Sequence, residues 1–399
     1  MIKRDYYLKK IFPFIDTDLV KVLTGIRRSG KSVMMLLIKD ELIKRGVLTE
    51  QIISINFEDF DYIKLRDPFI LNEWIKTKAK GIKGKIYLFL DEIQEVSNWE
   101  QVINSFRVSL NIDIYITGSN AKLLSGEMAT YLAGRYVQFD IYPFSYHEYL
   151  LARGVSDSAT EFQQYIQLGG MPFLINLSYQ KDASRQYLLD VYNSVLLKDI
   201  IQRNKIRDAD LLERILVFSF SNIGIPFSAS SIAKFLKNEN RKQSNDTILN
   251  QLKSCSSAYI LNKIPRIDLK TQKILTVNEK YYVADLGLRD ALFGNKSKDI
   301  GHILENIVCI ELLRRGYKVS VGKIGNLEID FVAEKNGQRM YIQVSYLLAD
   351  EKTINREFGV YSKIKDNYPK YVLSLDDFDF SRDGILHENI RQFLLREDW

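Results

Sequence analysis

The chain has 399 residues, more than one ordinary hydrophobic core holds and enough for two or three domains. Apolar residues make up 46% and charged residues 27%, which excludes a disordered or collagen-like chain and leaves a globular one. A formal charge of +6 permits an acidic partner without requiring one, and two cysteines and three histidines, all scattered, argue against a disulfide framework and a thiolate zinc site.

The first residues, MIKRDYYLKKIFPFID, carry charges and no apolar stretch of signal-peptide length. No apolar run approaches the ~20 residues that span a bilayer. The expectation is a cytoplasmic protein in a reducing compartment, with no membrane partner.

Strand and helix alternate over the first part of the chain. Apolar strands are expected at Val20–Thr24, Ile52–Phe57, Ile86–Leu90, Ile112–Thr117 and Tyr136–Ile141, with helices at Lys31–Arg45, Phe69–Lys80 and Trp99–Leu110. Such alternation predicts a parallel sheet covered on both faces. From His147 to about Arg203 the pattern is helical, and Asp190–Arg203 has the periodicity of one amphipathic helix. Helices follow at Leu211–Ser221, Ser228–Leu236 and Asn245–Ser254, then short strands at Tyr259–Ile264 and Ile274–Val277. Three helices and a two-stranded hairpin are the winged-helix order. A separate α/β unit is expected to close the chain. It has a helix at Ile300–Arg315, strands at Lys318–Gly322, Glu328–Glu334 and Met340–Tyr346, then a further helix and a strand at Tyr371–Ser374.

Residues 25–32, GIRRSGKS, match the phosphate-loop pattern GxxxxGK[ST], placed after a strand and opening a helix. Gly25 and Gly30 allow dihedrals and a close backbone approach that a Cβ would block. Lys31 brings a cation to the β- and γ-phosphates, and the Ser32 hydroxyl is a magnesium ligand. The helix N-terminus adds its positive dipole end. The expected nucleotide contacts are therefore Gly25, Ile26, Arg27, Arg28, Ser29, Gly30, Lys31, Ser32 and Val33, with ATP preferred over GTP.

The apolar strand in LFLDEIQ ends in Asp91 and Glu92. Asp91 is expected to hold Mg2+, and Glu92 to orient or deprotonate the attacking water. One strand intervenes in sequence between these acids and the loop. An adjacent Glu plus an inserted strand is the arrangement of the ATP-hydrolysing branch of such proteins, and the two motifs are expected on adjacent strands. Thr117, Ser119 and Asn120, where the fourth strand ends, compete for a γ-phosphate sensor role, with helix capping as the alternative for Ser119 and Asn120. Arg135 is a candidate arginine finger, in cis or toward a neighbouring copy.

GIRRSGKS, then YLFLDEIQ, then ITGSNAKLLSGEMATYLAGRYVQFDIYPFSYHEYL resemble the prokaryotic AAA-type ATPases that carry a C-terminal domain of unknown function. The resemblance extends over almost the whole chain. Arg135, Pro143, Phe144, Ser145 and Glu148 match its recurrent LAGR and YPFSYHEYL features. It implies ATP binding and hydrolysis with Mg2+.

The last domain resembles the PD-(D/E)xK nuclease superfamily through Glu305, Asp330 in LEIDFV, and Gln343-Val344-Ser345 in YIQVSY. In active members the acids bind magnesium and a lysine activates water. Here Gln343 stands at an acid position and Ser345 at the lysine position. Gln343 offers an oxygen, so Glu305, Asp330 and Gln343 are the implied metal set. Ser345 cannot supply an ammonium, so the expectation is a nuclease-like fold used for recognition. A lysine displaced onto another strand would restore the charge.

The expected fold is thus α/β: a P-loop NTPase parallel sheet with a helical lid, a winged-helix domain and a C-terminal restriction-endonuclease-like domain. The expected boundaries are 1–150, 151–205, 206–295 and 296–399. The function expected is an ATPase acting as a switch or motor coupled to a recognition domain. The alternatives are a DNA-binding protein with ATP-regulated affinity and a metal-dependent nuclease. Candidate partners beside ATP are double-stranded DNA, a protein, and further copies of this chain. Lys234, Lys237, Arg241, Lys242 and Lys253 supply the positive charge for DNA.

Overall fold

The computed structural model describes residues 2–121, 132–294 and 299–397. Residues 122–131, inside the stretch that carries the resemblance, and the expected boundary at 295/296 lie outside the described residues. The chain divides into two units: Met1–Tyr142 with Ser257–Tyr259, and Pro143–Ser256 with Ile260–Trp399.

The first unit starts with helix α1 (Asp5–Ile11). Its strands are β1 (Val20–Thr24), β2 (Ile52–Asn56), β3 (Ile86–Asp91), β4 (Ile112–Gly118) and β5 (Tyr136–Asp140). Its other helices are α2 (Lys31–Lys44), α3 (Pro68–Ala79) and α4 (Trp99–Ser109). The strands are all parallel, in the order β2-β3-β4-β1-β5. Because successive side chains on a strand point to opposite faces, each strand feeds two cores. Leu88, Leu90, Ile114 and Ile116 pack with Leu71, Ile75, Ile103 and Phe106 of α3 and α4. Leu23, Tyr87, Phe89 and Tyr115 pack with Leu8, Ile11, Met34 and Ile38 of α1 and α2. The result is a three-layer α/β/α unit, as the alternation predicts. One expectation is corrected: β1 and β3 are not neighbours, because β4 lies between them. The chain crosses over after β3 and inserts β4 beside β1, which one-dimensional spacing does not reveal.

The second unit opens with α5 (Tyr146–Arg153), α6 (Ala159–Leu168) and α7 (Lys181–Ser194). Ser145 and Glu148 form a reciprocal capping box at the start of α5, with the Glu148 N–H donating to the Ser145 hydroxyl at 3.2 Å and the Ser145 N–H donating to the Glu148 carboxylate at 3.1 Å. These two residues of the recurrent YPFSYHEYL feature thus start a helix. The single amphipathic helix expected at Asp190–Arg203 is instead the end of α7 continued by a π-helix over Val195–Gln202. There the buried Asp199 lies 3.5 Å from Arg203. A widened turn of this kind carries an extra residue that a regular helical periodicity does not register.

Helices α8 (Ala209–Ser221), α9 (Ala229–Asn238) and α10 (Asn245–Ser257) precede β6 (Leu261–Asp268) and β7 (Lys273–Val283). These strands are longer than expected, and β6 also pairs in parallel with β8 (Lys318–Ile324). With α11 (Leu286–Phe293) and α12 (Ile300–Arg314) come β9 (Leu327–Lys335), β10 (Gln338–Val344), α13 (Glu351–Gly359), β11 (Lys370–Ser374), β12 (Leu386–Asn389) and α14 (Ile390–Leu395). The sheet order is β12-β11-β10-β9-β8-β6-β7. The hairpin therefore belongs to the sheet of the last segment, which is not a separate sheet as expected. Backbone groups on β6 find partners on β8, a pairing that no local signal announces.

Candidate functional site

The parallel sheet of the first unit presents its carboxyl edge to one side, where α/β proteins place ligands. β1, buried along its length, delivers Gly25 to that edge. Gly25 has φ +143, and a Cβ there would lie 2.2 Å from the Ile141 carbonyl oxygen, so only glycine fits. Arg28 and Gly30 are also left-handed, with φ of +69 and +97. Ser29 N–H closes a turn on Ile26 O at 3.2 Å, and α2 begins at Lys31. The buried Lys31 ammonium donates to Gly25 O at 3.1 Å and Ile26 O at 3.2 Å. Ser32 and Val33 are exposed on the first turn of α2, and Ile26 is buried. Arg27 pairs with Glu58 at 3.1 Å, whereas Arg28 is exposed.

Asp91 ends β3 and Glu92 follows with φ +55. Both side chains are buried. The Thr117 hydroxyl, from β4, donates to Asp91 Oδ1 and accepts the Glu92 N–H at 2.9 Å. Gln94 donates its amide to Glu92 Oε2. Burial pushes the Glu92 carboxyl above its ordinary range, against the pull of Lys31. Of the three sensor candidates, Thr117 touches both acids; Ser119 and Asn120 are buried just beyond β4.

Arg135 lies at the opposite end of the sheet from the loop. Its carbonyl accepts the N–H of Val20 at 2.9 Å, at the amino end of β1, and its guanidinium reaches Asn104 at 3.4 Å. Five residues of strand separate Val20 from Gly25, about 16 Å at the usual rise. That separation places the Arg135 backbone at the end of β1 opposite the loop. Conversely, sequence reasoning missed Arg4. Its buried guanidinium donates to Ser29 O at 3.1 Å and Tyr142 O at 2.9 Å, and lies 4.5 Å from the Tyr7 ring centre. Its partners are 25 and 138 residues away, beyond any motif window.

In the second unit the structure does bring Glu305, Asp330 and Gln343 together. Gln343 Oε1 accepts the Asp330 N–H at 3.2 Å. Ser345 stands aside, its N–H bonded to Leu373 O at 2.9 Å. Lys280 of β7, which sequence reasoning did not single out, enters the group 3.1 Å from Glu305 and 3.6 Å from Asp330. Burial, then the neighbouring Glu305, pushes the Asp330 carboxyl above its ordinary range, against the pull of Lys280.

Residues 17–150 match the family described as an AAA domain, and residues 159–299 match a domain of unknown function, DUF8612. An uncharacterized protein of Haemophilus influenzae is 38% identical over 378 residues, covering 94% of this chain and 93% of that protein. The uncharacterized protein MJ1544 of Methanocaldococcus jannaschii is 33% identical over 405 residues, covering 96% and 87%. The chain belongs to this AAA-domain family. Among solved structures, the Walker-type ATPase PABY2304 of Pyrococcus abyssi shares the fold, with a TM-score of 0.50 and 14% identity over 73% of this chain and 96% of that one. The AAA domain, with its five-stranded parallel sheet of P-loop NTPase type, supports ATP binding and ATPase activity. Among the described residues no helix is long and apolar enough to cross a membrane.

Proposed function

We propose that the first unit is a magnesium-dependent ATPase whose site is the loop Gly25–Val33 together with Asp91, Glu92 and Thr117. The observation that carries this reading is Thr117, on the strand between β1 and β3, holding both acids at the edge where the loop emerges. Backbone N–H groups of the loop cradle the phosphates, and Lys31 leaves its loop carbonyls for the β- and γ-phosphates. The donor set fits magnesium: the exposed Ser32 hydroxyl and the Asp91 carboxylate are hard oxygen ligands beside a loop in which only glycine fits at position 25. Bound magnesium would neutralise phosphate charge. Glu92 orients the attacking water and takes its proton, aided by a carboxyl that burial makes more basic. The test is ATP turnover by the purified chain, its Glu92→Gln variant and its Lys31→Ala variant. Glu92→Gln should bind ATP and lose turnover at least about 100-fold. Equal rates in Glu92→Gln and the unaltered chain would remove Glu92 from the chemistry.

The second unit is read as the recognition element that ATP gates or drives, with residues 151–205 as a helical lid or linker. The order α8, α9, α10, β6, β7 is that of a winged helix, and double-stranded DNA is the partner of choice. Exposed Lys234, Lys237, Lys242 and Lys253 support this, whereas Arg241 is engaged by Asp208 and Asp210. A gel-shift series against salt tests it: affinity should fall steeply with salt. Binding that ignores salt would point to a protein partner. Arg135 is read as a finger toward a neighbouring copy, and a rate per chain unchanged on dilution would remove that role.

A further inference from the structure

The nuclease-like resemblance implies a divalent metal on Glu305, Asp330 and Gln343, and the residues present do not fit one. Each oxygen of that set already faces a protein donor. Glu305 Oε1 lies 3.2 Å from His302 Nδ1, and Oε2 accepts from Tyr282 at 2.9 Å and Lys280 at 3.1 Å. Asp330 Oδ2 accepts the Val344 N–H at 2.9 Å, and Oδ1 faces Lys280 at 3.6 Å. The Gln343 amide oxygen is held by the Asp330 N–H. A third acid, Glu328, offers Oε1 to Lys280 at 3.0 Å and Oε2 to Arg266 at 3.2 Å.

The three carboxylates thus converge on a single point, and that point holds an ammonium. The Lys280 side chain is 3% exposed, so it cannot swing into solvent without breaking all three contacts. Gly224 packs over the group, where a Cβ would lie 3.0 Å from Glu305 Oε2 and from His302 Nδ1. A divalent ion on the same carboxylates would sit within a few ångströms of the ammonium, and at that range in a protein interior the repulsion is severe. Among the described residues no group of three or more His, Cys, Asp or Glu side chains is arranged to hold a metal ion.

The geometry points to Lys280 as the resident cation of this centre, standing in the place of a divalent metal and fastening β7 to α12 and β9. The displaced lysine does not restore a nuclease site; it fills one. Burying Glu305 and Asp330, with the half-buried Glu328 beside them, is tolerable only with a cation among them, and a permanently attached one makes the fold independent of metal supply. It follows that removing the ammonium leaves hard oxygen donors, Glu305, Glu328, Asp330 and Gln343, able to converge on a divalent cation.

The test uses the full chain without nucleotide, with Mn2+ as probe and electron paramagnetic resonance reading the free ion. Four proteins are compared: unaltered, Asp330→Asn, Lys280→Ala, and the Lys280→Ala/Asp330→Asn double variant. The unaltered chain and Asp330→Asn should hold the same amount of Mn2+. Lys280→Ala should gain one ion that the double variant loses, and its melting temperature, lowered by several degrees, should recover as Mn2+ is added. An ion held by the unaltered chain and lost in Asp330→Asn would overturn the proposal, as would a folded Lys280→Ala that gains none. Should Lys280→Ala not fold, the unaltered and Asp330→Asn pair decides alone: equal occupancy upholds the resident cation, and a difference of one ion overturns it.

Discussion

Thr117 ties the two acids of the site together, its hydroxyl donating to Asp91 while accepting the backbone N–H of Glu92 at 2.9 Å. A single side chain on β4 therefore positions both the Asp91 carboxylate, the proposed magnesium ligand, and the backbone of Glu92, the proposed base. Hydrogen bonds to charged groups contribute about 1.5–3 kcal/mol. Thr117→Val, which keeps the shape and removes the hydroxyl, should lower ATP turnover by about 10- to 100-fold. Affinity for ATP should change much less, since the loop is untouched. Single-turnover kinetics beside equilibrium nucleotide binding would separate the two.

The raised carboxyl of Glu92 has a consequence for pH. A base must be ionised to act, and burial favours the protonated form. Turnover should therefore fall as pH falls, with its midpoint above the ordinary carboxylate range. The pH profile of kcat measures this, and Gln94→Ala, which removes a hydrogen bond that favours the ionised form, should move the midpoint further up.

Gly25→Ala places a methyl group against the Ile141 carbonyl at a φ that only glycine adopts freely. Strain of this kind costs about 1–3 kcal/mol before the clash is counted. The variant should melt at a lower temperature and lose most of its ATP affinity. Calorimetric titration with a non-hydrolysable ATP analogue would show it.

Arg4 fastens the back of the loop to the segment that follows β5. Arg4→Met should raise the KM for ATP several-fold by loosening the loop, with kcat reduced less. A steady-state KM and kcat comparison checks the split, and Arg4→Lys, which keeps a cation but not the two-pronged geometry, should fall between.

Lys21 and Asp113 form an ion pair with both side chains fully buried on β1 and β4. The pair sits toward the amino ends of those strands, away from the loop. Lys21→Met strands a buried carboxylate and should cost about 3–5 kcal/mol of stability. Denaturant unfolding would measure that loss, while ATP affinity of the folded fraction should stay within about twofold, since the loop contacts are intact.

Much of the first unit was legible from short windows of sequence. Val20–Thr24 and the helix opening at Lys31 are where periodicity placed them, because apolar alternation and glycine dihedrals are properties of a few neighbouring residues. The loop and the Asp91–Glu92 pair were legible for the same reason. The π-helical turn at Val195–Gln202 was not, since one added residue per turn leaves a helical pattern nearly intact.

Which of those residues meet depends on how distant segments pack, and the fold supplies that. It inserted β4 between β1 and β3 and so brought the Thr117 hydroxyl to Asp91 and the Glu92 N–H. It sent Arg135 to the far end of β1, brought Arg4 under the loop, and joined the hairpin to the last sheet so that Lys280 reached Glu305, Glu328 and Asp330. Each of these is a contact between distant segments, fixed by crossovers and strand register. Local sequence encodes the conformation of a segment, whereas its neighbours are set by which packing of all segments buries the most apolar surface with every polar group paired. A loop of eight neighbouring residues and an adjacent pair of acids can be read from short windows, whereas crossovers and register fix what holds them in place and put an ammonium at the centre of the second acidic group.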